Sequence, residues 1–340
     1  MSNFVIRPIR ESDFEAYKQL AFSTRGMTSL PHNEKLLKKK IKTSVRSFAE
    51  DVQTPGGEIY LFVLEDRQNN CLAGVSGIIA KVGGYEPFYS YKIKSETLAS
   101  KALKIKREIK TLHLCANHNG PTEICSLLLN EKYRGSGLGR LLSLCRFPFL
   151  GEFRERFDKI VISEMRGVIG PSGSPPFWDC VGRHFFDTDF FTADHYCSLG
   201  QKDFIAELMP SHPIYHDLLP QAAKDIIGKV HQDTVPARKL LESEGFRFQD
   251  EVDIFDAGPT LKAVIEDLRS VKYSKRQTIK NILRAEPDTL DFLIINCRLD
   301  YRCLTAHVVE NPDDTVNISK VTAEALGVKE GDTIRFVPLR

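Results

Sequence analysis

Apolar and polar positions along the chain switch between a strand period and a helix period. Phe4-Val-Ile-Arg-Pro-Ile9 reads as a short strand. Ser12-Asp13 then caps a helix with Phe14, Tyr17 and Leu20 at helical spacing. The loop Gly26-Met-Thr28-Ser29-Leu30-Pro31 leads into a Lys-rich helix through about Glu50, and Lys38-Lys39-Lys40 reads as its solvated face. Tyr60–Leu64 and Cys71–Ile79 predict paired strands around the polar turn Glu65–Asn70. Leu112–Cys115 reads as another short strand, followed by the polar loop Ala116–Gly120. The run Ile124–Leu129, within Glu123–Asn130, predicts a buried strand, and Arg134-Gly135-Ser136-Gly137-Leu138-Gly139 opens a helix through about Phe153. Lys159–Ser163 is the next strand. Pro171–Gly200 shows no clean period, and its Phe177-Trp178 and Phe185-Phe186 read as core, with a pocket wall as the alternative. Thr234–Glu244 is an amphipathic helix running into Gly245-Phe246. Ser270–Asp288 is basic and polar, which predicts a linker. Leu290–Asn296, Thr305–Val309 and Thr333–Val337 then predict a small β unit, with a short helix Val321–Leu326 ended by Gly327.

Composition narrows the function classes. With 340 residues the chain has room for one large domain and a small one. Lys+Arg 47 against Asp+Glu 45 gives a net charge of +2, which argues against a nucleic-acid partner. No stretch approaches the roughly 18 apolar residues of a membrane span, and Met1–Pro8 lacks the regions of a signal peptide. The eight cysteines are scattered without a C-x-x-C pair, and Cys125 and Cys145 sit in apolar runs, as reduced core thiols do. The expectation is a soluble cytoplasmic protein with no membrane partner. His212 and His216 are four apart, but Pro213 argues against a helix presenting both, so no metal site is expected.

Three glycines between a strand and a helix let backbone N–H groups converge on an anion. Gly135-Ser-Gly137-Leu-Gly139 lacks both the G-x-x-G tail of a dinucleotide loop and the Gly-Lys-Ser/Thr of a Walker loop. The remaining pattern, Arg134-x-x-Gly137-x-Gly139, resembles the pyrophosphate loop of the GNAT acyl-CoA N-acyltransferases. The order of elements fits, and Ala237-Arg-Lys-Leu240-Leu241-Glu-Ser-Glu-Gly245-Phe246 resembles their second signature. The gap between the two implies an insertion over about 165–228. The expected fold is therefore α+β: a GNAT-type mixed central sheet flanked by helices, with a large insertion and a small C-terminal β subdomain. Its domains would be 1–269, a linker 270–288 and the subdomain 289–340.

Further segments are specific. Thr28-Ser29-Leu30-Pro31, Phe62–Asp66, Glu164-Met-Arg166-Gly167-Val168, Ser174–Trp178, Gly200–Pro210, His212–Tyr215 and Asp253–Thr260 resemble the arginine N-succinyltransferase family over about Val5 to Leu261. The resemblance implies transfer of succinyl from succinyl-CoA, as co-substrate, to the α-amine of L-arginine, opening an ammonia-releasing route to glutamate. No permanently bound cofactor is implied, and the oligomeric state, homo- or hetero-oligomer, stays open. It places succinyl-CoA at Leu127 through the main chain, with Arg134, Gly135, Gly137 and Gly139 at the pyrophosphate. GNAT enzymes commonly use a Tyr of the late helix as proton donor, and Leu241 stands in that place. His231, in Val230-His231-Gln-Asp-Thr234, matches the family's catalytic His, and an imidazole with an ordinary pKa of about 6.5 can donate near neutrality. Glu123, at the start of the acyl-site strand, competes as base with His118, which matches the family without an assigned role. The guanidinium needs an acidic partner and the substrate carboxylate a cation or N–H groups. Glu164 and Arg166 are the candidate pair, Thr28-Ser29 a lid, and Asp187 and Asp189 the alternatives. Two other readings compete: acetyl-CoA-dependent acetylation of another amine, and a non-catalytic acyl-CoA- or arginine-binding regulator.

Overall fold

A computed structural model describes residues 3–24, 27–287 and 291–339. Gly26 of the expected loop, Asp288 of the linker, Thr289 and Leu290 at the start of the expected subdomain, and the ends Met1, Ser2 and Arg340 lie outside the described residues. In chain order the elements begin with β1 (Phe4–Pro8), α1 (Phe14–Phe22), α2 (Glu34–Ala49), β2 (Ile59–Asp66) and β3 (Cys71–Ile79). The hairpin β4 (Gly83–Ser100) and β5 (Ile105–Asn119) follows, then β6 (Thr122–Leu129), α3 (Leu138–Leu144), α4 (Arg146–Glu152) and β7 (Ile160–Glu164). Next come α5 (Arg183–Phe186), α6 (Phe190–Ser198), α7 (Asp203–Leu208), β8 (Ile214–Tyr215), α8 (Gln221–Lys224), α9 (Val235–Glu244), β9 (Arg247–Val252) and β10 (Pro259–Val264). The chain ends with α10 (Arg269–Lys272), β11 (Lys275–Leu283), β12 (Asp291–Ile295), β13 (Cys303–His307), β14 (Val309–Glu310), β15 (Thr315–Ser319), α11 (Lys320–Leu326) and β16 (Thr333–Pro338). These elements make the expected mixed sheet flanked by helices.

The chain divides into two compact units. The first comprises Met1–Lys81, Ile124–Val161 and Val264–Arg340. Its strands lie in the order β14-β15-β11-β16-β12-β13-β1-β2-β3-β6. Pairing is antiparallel from β1 to β2 and β13, with Ile6 opposite both Leu64 and Cys303, while β11 and β15 run parallel. The burial of Val5 and Ile6 on both faces explains their unbroken apolar run. The expected helix start at Ser12-Asp13 is built differently: the Asp13 carboxylate takes the Arg10 N–H (2.7 Å) and the Arg7 guanidinium (2.7 Å). Two expectations need correction here. The predicted linker contains β11, whose polar face hid it, with only Ile279 fully buried. By contacts the C-terminal strands group with this first unit, to which the β1–β13 pairing joins them. The predicted single helix after the glycine loop is two, α3 and α4, broken at Cys145.

The second unit comprises Val82–Glu123 and Ile162–Ala263. Its strands run β10-β9-β4-β5-β8. The pairing of β4 with β5 extends from Ser100↔Ile105 back to Phe88↔Asn117. The short strand expected at Leu112–Cys115 is thus the middle of a long ribbon, and the expected loop Ala116–Gly120 is mostly its continuation. Tyr91, Leu112, Phe177, Trp178, Phe186 and Phe255 share this unit's core. Trp178 stacks on Phe186 at 5.4 Å and donates its indole N–H to the Thr188 carbonyl (3.2 Å), so core is the correct reading for both.

Candidate active site

In the first unit, β6 carries the acyl-site candidates. Within it Ser126 is a non-glycine residue with φ 54°, where a side chain is strained. The kink stands one residue before Leu127, whose main chain is the expected contact for succinyl-CoA. The Ser126 hydroxyl donates to the Ser29 carbonyl (3.4 Å), which also accepts from Lys40 Nζ (2.6 Å). The structure therefore brings the expected lid, exposed Thr28 and half-buried Ser29, against β6 beside the expected acyl contact. After β6, Asn130 caps a single turn at Lys132, and the glycine loop follows. Gly135 and Gly137 adopt φ 79° and 80°, the left-handed conformation only glycine adopts freely. A Cβ at either would meet nothing within 4 Å, so conformation and not crowding requires glycine there. Gly139 instead lies at ordinary contact distance from Leu129. None of the N–H groups from Gly135 to Gly139 has an acceptor among the described residues, as expected of a helix start. Arg134 is exposed and pairs loosely with Glu131 at 3.8 Å, so its guanidinium is available to phosphate.

In the second unit, residues far apart in sequence meet. The His231 N–H donates to the Arg166 carbonyl (2.9 Å), and Gly167 and Val230 form an antiparallel bridge. A Cβ on Gly167 would stand 2.4 Å from the Asp256 carbonyl oxygen, so only glycine allows this approach. The Asp256 carboxylate clamps the turn by accepting N–H bonds from Gly167 (2.6 Å) and Gly258 (2.7 Å). His231 is one-fifth exposed, and its Nδ1 accepts the Asp233 N–H at 3.2 Å. Nε2 is then the nitrogen that carries the proton in the neutral ring, and the Asp233 carboxylate, 3.6 Å from Nδ1, can support a positive charge on it. Leu241, at the usual Tyr position, is buried and cannot donate.

Glu164 keeps solvent access, yet the protein packed around it raises its carboxyl well above the usual range. Glu123, Asp253 and Asp256 raise it further, and Lys202 opposes them. Burial also raises Asp256 to about 8, with help from the charge of Asp253, and burial raises Asp253 itself. Asp194 is pushed up to about 6 by burial and by Asp253, against Arg166 and His195. Such a group of carboxylates with few cations favours a cationic ligand and holds protons near neutrality without one. Sequence reasoning found Glu123, Glu164 and Arg166 but missed Asp194, Lys202, Asp253 and Asp256. The only signal for the last two was their place in the family-like segment Asp253–Thr260.

The other candidates have local partners of their own. His118 is not in a flexible loop: it lies in β5, where its Nδ1 donates to the Gly84 carbonyl (2.9 Å). Asp187 ends α5 with φ 48°, and Asp189 caps α6 by accepting the Thr192 N–H (3.0 Å) and hydroxyl (2.6 Å). Both are helix-end residues in this fold. His216 faces Asp217 at 3.5 Å, and His212 is exposed. No helix among the described residues is long and apolar enough to cross a membrane.

Comparison with known proteins completes the picture. Residues 4–270 match the family described as Arginine N-succinyltransferase beta subunit, and residues 275–338 match its C-terminal domain. An arginine N-succinyltransferase of Yersinia pseudotuberculosis is 40% identical over 343 residues, covering 98% of this chain and 97% of the relative. One from Escherichia coli is 40% identical over 337 residues, with the same coverage. The solved arginine/ornithine succinyltransferase subunit AI from Pseudomonas aeruginosa is 35% identical, covers 98% of both chains and superposes with a TM-score of 0.88. By sequence over nearly its whole length and by fold, the chain is an acyltransferase that belongs to the arginine N-succinyltransferase family.

Proposed function

We propose that this enzyme transfers the succinyl group of succinyl-CoA to the α-amine of L-arginine, giving N2-succinyl-L-arginine and CoA. The observation that carries the reading is the carboxylate group around Glu164, tied by main-chain bonds to the turn that holds His231. A guanidinium or an α-ammonium is the ligand such a group favours. The main chain at Leu127 takes the acyl thioester, and Arg134 with the glycine loop takes the pyrophosphate.

The chemistry then needs two proton transfers. The α-ammonium loses a proton before its nitrogen attacks the thioester carbon, and a carboxyl with a raised pKa accepts one near neutrality. Glu164, whose carboxyl the charge of Glu123 helps to raise, takes that role, which leaves Glu123 as its partner and not the sole base. The tetrahedral intermediate collapses as the C–S bond breaks, and His231 Nε2 supplies the proton to the departing thiolate. The neighbouring carboxylates Asp194, Asp253 and Asp256 hold the guanidinium, and Arg166 holds the substrate carboxylate. The eight free thiols support a reducing, cytoplasmic setting. The name of the Pseudomonas aeruginosa subunit supports an assembly of more than one chain.

The test is CoA release from succinyl-CoA with a panel of amino acids that includes ornithine and lysine. L-Arginine should be the preferred acceptor, and acetyl-CoA should not replace succinyl-CoA. Faster release from acetyl-CoA, or no dependence on a cationic amino acid, would overturn the assignment.

A further inference from the structure

Among the described residues three arginines lie in the interior of the first unit, and two have evident compensation. Arg7 meets Asp13 at 2.7 Å and Glu65 at 3.0 Å. Arg156 takes the Ser47 (3.1 Å) and Glu50 (2.8 Å) carbonyls at the C-terminal end of α2, where the helix dipole is negative, and the Tyr60 hydroxyl (3.2 Å). Arg146 is different. It is 2% exposed and has no carboxylate partner among the described residues. Its Nε donates to the Ser143 carbonyl (3.0 Å), its Nη2 to the Ser143 hydroxyl (2.9 Å), and its Nη1 to the Cys125 carbonyl (3.4 Å). A guanidinium has five N–H bonds, so one on each terminal nitrogen is left without an acceptor. A buried charge with only neutral partners is costly, and the cost falls when an anion completes the pair.

Its position names the anion. The Cys125 carbonyl lies on β6, two residues before Leu127, and the strained Ser126 stands between them. Arg146 therefore bonds the main chain of the same strand two residues from the expected thioester contact, a separation of the order of a short acyl chain's length. We propose that Arg146 is the counter-charge for the terminal carboxylate of the succinyl group, and so the residue that selects a diacid acyl-CoA over a monoacid one. Each terminal nitrogen keeps one N–H, and a carboxylate has two oxygens to accept them. This inference rests on the reading that Leu127 binds the acyl thioester, and it adds the group that recognises the acyl chain's far end.

The experiment compares succinyl-CoA with butyryl-CoA, which has a methyl group in place of the carboxylate. Arg146→Met keeps most of the volume and removes the charge, an exchange that interiors often tolerate. In this variant kcat/KM for succinyl-CoA should fall about 10²–10³-fold while that for butyryl-CoA holds or rises. Arg146→Lys keeps the charge without the planar fork, and should raise KM for succinyl-CoA about tenfold with butyryl-CoA unchanged. A wild-type preference in either variant, folded by circular dichroism, overturns the proposal. Failure of the wild type to transfer succinyl to L-arginine at all would instead bring down the functional reading, and this inference with it.

Discussion

At the scale of single residues, His231 bears the sharpest assignment. The structure holds its ring by one bond, the Asp233 N–H to Nδ1, and fixes its main chain on the Arg166 carbonyl. The ring therefore stays in place when neighbouring side chains change, and its loss should touch chemistry more than binding. His231→Ala should lower turnover about 10²–10⁴-fold, the range for a positioned acid or base. Affinity for succinyl-CoA should change little, because the proton acts on charge that develops at sulfur in the transition state. His231→Asn keeps a hydrogen-bond donor but cannot release a proton. Steady-state kinetics of the Asn variant decide the matter: near-wild-type turnover would leave His231 a positioning role only. His231 stood out in the sequence because its motif is local. Asp253 and Asp256 did not, since about 90 residues of chain separate them from Glu164, and no periodicity records a meeting at that distance.

At the scale of elements, legibility followed one-sided chemistry. β1, β2, β3 and α2 each bury one face or both, so their apolar spacing announced them. The hairpin of β4 and β5 did not, because from Lys94 to Lys110 most residues are exposed and neither face carries an apolar stripe. The glycine loop stood out for a third reason: its left-handed turn is written in consecutive residues. Gly137 caps α3 in the left-handed conformation with open space where a Cβ would stand. Gly137→Ala should therefore cost only the backbone strain of about 1–2 kcal/mol, leaving the fold intact. Gly137→Asp adds to the same strain a negative charge at the proposed pyrophosphate site. CoA affinity, read by titration calorimetry, should fall at least about tenfold further in the Asp variant than in the Ala variant. Equal affinities in two proteins with normal circular dichroism would remove the loop from the CoA site.

At the scale of the whole molecule, the carboxylates of the second unit make stability and substrate binding depend on pH together. Burial pushes Asp194 up to about 6 and Asp256 up to about 8, and raises Glu164 and Asp253 as well. In the unfolded chain all four would ionise near 4. Between those limits the folded state binds more protons than the unfolded state, so the free energy of unfolding falls as pH rises. Without ligand, the melting temperature should therefore decline from about pH 5 to pH 8. A bound guanidinium reverses the balance, because a cation among the carboxylates lowers their pKa and drives protons off. L-Arginine should accordingly bind with proton release, and its stabilisation of the fold should grow from pH 6 to pH 8. Citrulline, which keeps the shape of the side chain but carries no charge on it, should show neither effect. Calorimetry in two buffers of different ionisation enthalpy measures the protons released. If arginine binds with no proton release at pH 7, or citrulline stabilises the chain as well as arginine does, the guanidinium lies elsewhere. Glu164 would then keep its raised pKa for proton abstraction alone.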